Sequence, residues 1–95
     1  MHCVFATITP KEQFFDIAKN AILSILEPTR QEAGCVQFDV HSNKEQTQLF
    51  LYEQWKSEQD LQLHYQQNYT QRVFEAYEKW LAKPVDITTF NLLEK

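Results

Sequence analysis

The sequence predicts an α+β fold, a four-stranded antiparallel sheet with its helices gathered on one face. Three observations carry this. The periodicity of apolar residues changes along the chain in the order strand, helix, strand, strand, helix, strand. Two helix-start patterns, Thr9-Pro10-Lys11-Glu12 and Ser57-Glu58-Gln59-Asp60, each follow an apolar stretch of β character. And 95 residues, 43% hydrophobic with a single Gly and three Pro, suffice for one packed core but not two, while being too apolar for a disordered chain. The whole of 1–95 is expected to be a single domain.

The elements follow in order. His2 to Ile8 is apolar and β-branched and reads as a strand. Thr9 is placed to accept from exposed amides, Pro10 suits a first helical turn, and Glu12 completes a capping box. Phe14, Ile17, Ala18, Ala21, Ile22, Ile25 and Leu26 then form a helical stripe. Pro28 is expected to interrupt that helix, with a further short turn over Thr29 to Ala33 ended by Gly34. Cys35 to His41 alternates, with Val36, Phe38 and Val40 on one face and Cys35, Gln37, Asp39 and His41 on the other. After the polar turn Ser42 to Gln46, Leu49 to Trp55 is the hairpin's second strand. A helix opens at Ser57, loosens at Gln67-Asn68 and resumes to about Ala82, with Val73, Phe74, Tyr77, Trp80 and Leu81 on one stripe. Pro84 stops it, and Val85 to Leu93 is the last strand. This order in a chain of this length predicts a ferredoxin-like βαββαβ sandwich with spatial strand order 4-1-3-2.

Composition narrows the function classes. Nine basic residues against thirteen acidic give a net charge of -4, and Lys and Arg are scattered singly from Lys11 to Lys95. Such a surface repels phosphate backbones, so no nucleic-acid partner is expected. The longest apolar run, Ala21 to Leu26, is broken by Ser24 and falls far short of the roughly 18 residues of a membrane span. No basic-then-apolar leader is apparent, and Cys3 and Cys35 make neither a disulfide scaffold nor a thiolate metal site. The expectation is a cytoplasmic protein with reduced thiols and no membrane partner.

Both faces of the predicted strands carry large residues. Phe5 opposes Val4 and Ala6 across the first strand, and Phe50 and Tyr52 oppose Leu49, Leu51 and Trp55 across the third. Helices on one side leave the other apolar patch open. Packing two such faces together predicts a homodimer, and solvent-tolerated surface aromatics are the plain alternative.

Few groups could carry chemistry. His2, His41 and His64 have no metal-ligand spacing, no carboxylate cluster completes a site, and one glycine cannot build a phosphate loop, so neither metal nor cofactor is expected. The cysteines read as small core hydrophobes. His64 stands near a helix end beside Tyr65 and Tyr69, where an imidazole facing the gap between sheet and helices could move a proton; the alternative is a histidine hydrogen-bonded at a helix end. Glu53, between Leu51 and Trp55 on one strand face, must find a partner or water. It either orients a ligand or histidine, or satisfies a buried amide or an ion pair across a dimer.

Three segments, Pro28-Thr29-Arg30-Gln31-Glu32-Ala33-Gly34-Cys35, Glu53-Gln54-Trp55 and Leu61-Gln62-Leu63-His64, resemble the antibiotic biosynthesis monooxygenase (ABM) domain family over almost the full length. The resemblance implies a dimeric α+β barrel. Its members include cofactor-independent quinol and polyketide oxygenases, haem-degrading enzymes, an isomerase-like processor of a phosphorylated signalling sugar, and proteins without a known substrate. His64 falls on the helix histidine often proposed to act in the pocket, while Tyr69 stands where many relatives have a second histidine. Haem-degrading relatives carry an axial histidine in the following helix, and between Tyr69 and Leu81 there is none. The implied activity is a cofactor-independent monooxygenase acting with dioxygen on a small electron-rich phenol or hydroquinone. His64 would be its catalytic base, with Glu53, Trp55, Tyr69 and Phe74 contacting the substrate. The alternatives are an isomerase-type enzyme on a small oxygenated metabolite, with Arg30, Lys56 and Arg72 as the candidate basic groups were it phosphorylated, and a non-catalytic ligand-binding dimer.

Overall fold

Strand β1 (His2–Ile8) forms where the sequence places its apolar, β-branched opening run, and it becomes an interior strand of the sheet. It pairs antiparallel with β3 (Leu49–Trp55) on one side and with β4 (Asp86–Asn91) on the other, while β2 (Cys35–Ser42) pairs antiparallel with β3. The order β2-β3-β1-β4 is the expected ferredoxin-like topology. The computed structural model describes residues 1–94 of the chain; Lys95, the last of the scattered basic residues, lies outside them.

The helices cover one face. Helix α1 (Phe15–Ser24) follows a 3-10 turn over Glu12–Phe14; α2 (Leu26–Arg30) precedes β2, and α3 (Glu58–Tyr65) and α4 (Asn68–Trp80) follow β3. Between them and the sheet lies the core, built on Val4, Ala6, Ile8, Ile22, Phe38, Leu49, Trp55, Leu61 and Tyr77. The Tyr77 hydroxyl donates to Ala18 O at 2.8 Å and ties α4 to α1 inside that core. None of the described helices is long and apolar enough to cross a membrane.

Several local expectations are corrected. The first helical segment has no side-chain cap: its 3-10 turn starts at Glu12, α1 follows from Phe15, and the Thr9 hydroxyl instead accepts from Gln48 Nε2 at 3.1 Å. The backbone of Thr9 to Lys11 is held by the end of α4, through Ala82 N to Thr9 O and Lys11 N to Trp80 O, both 2.8 Å. That shift turns Phe15 into the core and leaves Ile17 46% exposed. The helix breaks at Ile25, before Pro28 rather than at it. A proline ring cannot pack behind the carbonyl of the residue four earlier, here Ser24, but fits the first turn of a new helix, which is what α2 supplies. In β2 a bulge between Cys35 and Gln37 moves Val36 out to solvent and brings Cys35 opposite Trp55, onto the helix-covered face with Phe38 and Val40. The last helix ends at Trp80 and the last strand is shorter than Val85 to Leu93.

The Ser57 cap is as expected, its hydroxyl accepting from Asp60 N at 3.1 Å. Gly34 is needed for space rather than for a left-handed backbone, because its φ is not positive. A methyl group there would overlap Cβ and Cγ of Asp60. The Gly34 carbonyl also accepts from Lys56 N at 2.9 Å, so this close approach sets α3 against the start of β2. Gly34→Ala is therefore expected to cost about 1–3 kcal/mol by overpacking, read from the urea midpoint at constant slope. An unchanged midpoint would mean that Asp60 can turn aside freely and that the approach positions nothing.

Candidate functional site

The site is assembled where α2, α3 and α4 meet the centre of the sheet. Arg30, at the end of α2, donates from Nε to Phe38 O and from a terminal nitrogen to Asp39 Oδ1, each at 3.0 Å, and so fastens α2 to β2. The chain then turns, with Glu32 N bonded to Thr29 O and Cys35 N to Glu32 O, both 3.0 Å. That fixed turn aims the Glu32 side chain at the end of α3, where His64 is buried with 3% of its surface exposed. His64 Nδ1 lies 2.9 Å from Glu32 Oε2. The Tyr69 hydroxyl, at the start of α4, donates to the same carboxylate oxygen. A carboxylate only accepts, so Nδ1 carries the proton and Nε2 keeps its lone pair. Nε2 has no hydrogen-bond partner among the described residues.

Aromatic rings fix the imidazole from the other sides. The Trp55 ring lies 4.8 Å from it, Phe38 5.7 Å and Tyr65 5.8 Å, centroid to centroid. Burial pushes His64 below the ordinary imidazole range, and the hydrogen bond and charge of Glu32 recover only part of that fall. That direction favours the neutral imidazole at pH 7. Burial, then the hydrogen bond to Glu32, raises Tyr69, which stays a phenol and a donor; burial likewise raises Tyr65 to about 12.

Glu53 occupies the same region from the sheet. Its neighbours on the helix-covered face are Val4 and Phe38 across the ladder and Leu51 and Trp55 along the strand, all apolar. Trp55 Nε1 donates to Glu53 Oε1 at 2.9 Å, and Oε2 has no partner among the described residues. Burial raises this carboxyl to about 7, against a lowering by the Trp55 hydrogen bond. The site thus favours a neutral imidazole beside a carboxyl that, unlike one in water, is protonated for much of the time near neutrality. The Cys35 thiol, raised to about 11 chiefly by burial, is unreactive at neutral pH.

A hollow between sheet and helices is lined by Glu53 and His64 together with Val4, Phe38, Thr70 and Phe74 among others. Its open space is about 20 Å³, enough for a water molecule rather than a substrate ring. Phe74, Tyr77 and Val85 also line an open groove of about 580 Å³ outside it. Of the residues singled out from sequence, His64, Glu53 and Phe74 meet at this hollow. Trp55 and Tyr69 are not on its wall: Trp55 supports both Glu53 and the imidazole from behind, and Tyr69 reaches Glu32. Glu32 was not among the candidates. Its signal in the sequence was its place in the segment Pro28 to Cys35, but nothing local says which of its acidic and polar side chains turns inward. Among the described residues no three His, Cys, Asp or Glu side chains converge as a metal site would require.

The profile of the family described as antibiotic biosynthesis monooxygenase, ABM, matches residues 1–76. The chain belongs to this family. A candidate antibiotic biosynthesis monooxygenase of Nitrosomonas europaea superposes with a TM-score of 0.94 at 21% identity, covering 99% of this chain and all of that one. The Pseudomonas aeruginosa protein PA3566 superposes with a TM-score of 0.91 at 26% identity, over 98% of this chain and 94% of that one. The Synechocystis protein sll1783 is 28% identical over 85 residues, 88% of this chain; the chain spans 55% of the length of that curated relative. The family match supports an ABM-type function in general terms, and the neighbours share the fold.

In this ABM domain the raised Glu53 makes stability depend on pH. Its pKa rises from 4.5 to about 7 on folding, so its contribution is complete below pH 4.5 and is lost as pH rises through 7. The lowered His64 works in the opposite sense, its contribution present above 6.5 and fading as pH falls below that value. Glu53→Gln keeps an acceptor for Trp55 and leaves the His64 part in place. It is expected to match the wild type near pH 4.5 and to exceed it by up to about 3 kcal/mol at pH 8, measured by urea unfolding across that range. A constant difference would mean that Glu53 ionises as readily folded as unfolded.

Proposed function

We propose that this ABM domain is a cofactor-independent monooxygenase for a small electron-rich phenol or hydroquinone. The observation that carries the reading is the buried His64 imidazole, held by Glu32 at Nδ1, with Nε2 unpartnered among the described residues and the ring at the wall of an apolar hollow. Nε2 takes the proton of a ring hydroxyl, and the anion formed in a dry site reduces dioxygen directly. For a hydroquinone the balance closes without an outside reductant. The ring loses two hydrogens in becoming a quinone, one oxygen atom replaces a ring hydrogen as hydroxyl, and the other oxygen leaves as water. Glu32 and Tyr69 hold the imidazole's orientation while it carries the proton, and Glu53 contacts a substrate oxygen. The substrate enters from the outer groove as Phe74 moves aside, because the resting hollow is too small for a ring.

The working unit in this proposal is a homodimer. The sheet face away from the helices carries Phe5, 42% exposed, stacked at 5.9 Å on Phe50, and Phe90, 41% exposed, 6.5 Å from Tyr52. Two such faces packed together would withdraw this contiguous aromatic surface from water. A second reading is favoured by Glu53. A protonated carboxyl and a neutral imidazole at one hollow are the acid and base of an isomerase, which would convert its substrate without oxygen.

With hydroquinones in an oxygen electrode, the metal-stripped protein is expected to consume oxygen, and His64→Ala to lose at least about a hundredfold of that rate. Light scattering on the same samples should give about twice the chain mass for both proteins. Oxygen uptake unaffected by His64→Ala would remove this imidazole from the chemistry, and conversion under argon would favour the isomerase.

A further inference from the structure

Thr70 and Thr29 are the two described residues whose side-chain hydroxyls are buried without any hydrogen-bond partner in the protein. Both are essentially inaccessible, at 2% and 0% exposure. An unpaired buried hydroxyl costs stability, and a valine of nearly the same shape would remove that cost, so each position invites a reason. For Thr70 the surroundings offer one. It is on the wall of the His64 hollow, contributed by the first turn of α4, whereas Thr29, on α2, is not. The remainder of that wall is aliphatic and aromatic apart from His64, Glu53 and the phenols Tyr65 and Tyr77, the latter committed to Ala18 O. Glu53 comes from the sheet side and has one carboxyl oxygen committed to Trp55 and the other uncommitted.

We propose that Thr70 and Glu53 form a recognition subsite for a second oxygen on the ring whose hydroxyl His64 deprotonates, so that the hollow selects two-oxygen rings over simple phenols. The inference rests on the function proposed above and specifies its substrate class. The base accounts for one ring oxygen. A second oxygen placed between the helix hydroxyl and the sheet carboxyl would find a donor and an acceptor in an otherwise apolar enclosure, where a methyl group in its place would leave both unpaired. Sites built to hydrogen-bond a substrate hydroxyl discriminate strongly against the analogue that lacks it, for that reason.

The test uses the intact protein under argon and two rings of nearly equal size, hydroquinone and 4-methylphenol, with dissociation constants taken from NMR shift titrations. The wild type is expected to prefer hydroquinone by about tenfold or more. Thr70→Val should bring the ratio close to one by weakening hydroquinone while leaving 4-methylphenol unchanged or tighter. Thr29→Val removes an equally buried orphan hydroxyl outside the hollow and should keep the wild-type ratio. A wild type without preference, a Thr70→Val protein that retains it, equal loss in Thr29→Val, or failure of either ring to bind would each overturn the proposal. Admitting air separates this from the oxidation itself. Selective binding without oxygen uptake would remove the oxidation and leave the subsite standing, and oxygen uptake with equal use of both rings would do the reverse.

Discussion

The contact between Glu32 and His64 Nδ1 joins residues 32 positions apart, and the site depends on it. An imidazole as deeply buried as His64 would otherwise be free to take either tautomer and any ring angle its packing allowed. The carboxylate decides the tautomer, and the Trp55, Phe38 and Tyr65 rings limit the angle. Glu32 is itself held twice, by the backbone turn after α2 and by the Tyr69 hydroxyl. These parts come from several elements, so the arrangement exists only when α2, α3, α4, β2 and β3 are all in place. That is how a small fold can hold an imidazole at a set position.

The sheet supports that assembly through its apolar helix-covered face and carries aromatic rings on the other. On one face, β1 and β3 supply Val4, Ala6, Leu51 and Trp55 to a core that accommodates a single carboxyl group, Glu53, through one indole hydrogen bond. On the other, Phe5, Phe50, Tyr52 and Phe90 form paired rings, with Phe5 and Phe90 exposed among the described residues. Burial is thus the common cause of two shifts. It lowers the imidazole and raises the carboxyl, which places a base and an acid at the same wall near neutral pH.

The strand order and the boundaries of β1 and β3 were legible because alternation and β-branching are local properties of those segments. The cap at Ser57 was legible for the same reason. The start of α1 was not, because Thr9 is claimed by Gln48 and by the backbone after α4, partners 39 or more residues away. The bulge at Val36 reversed the face assigned to Cys35, since one extra residue shifts a period of two. In the site, His64, Glu53 and Phe74 could be named from position and resemblance. Glu32 could not, because a glutamate beside Gln31 and Ala33 in a turn looks solvated until α3 is packed against it. Trp55 and Tyr69 were expected at the substrate, but their hydrogen bonds turn them toward Glu53 and Glu32 rather than toward the hollow.

The tautomer of His64 is the most direct measure of this account. In a long-range proton–nitrogen NMR spectrum of the 15N-labelled protein at pH 7, His64 should give a protonated, pyrrole-type Nδ1 and an unprotonated, pyridine-type Nε2. A proton on Nε2, or an imidazolium at that pH, would mean that Glu32 does not set the base, and the chemistry built on a free Nε2 would have to be abandoned.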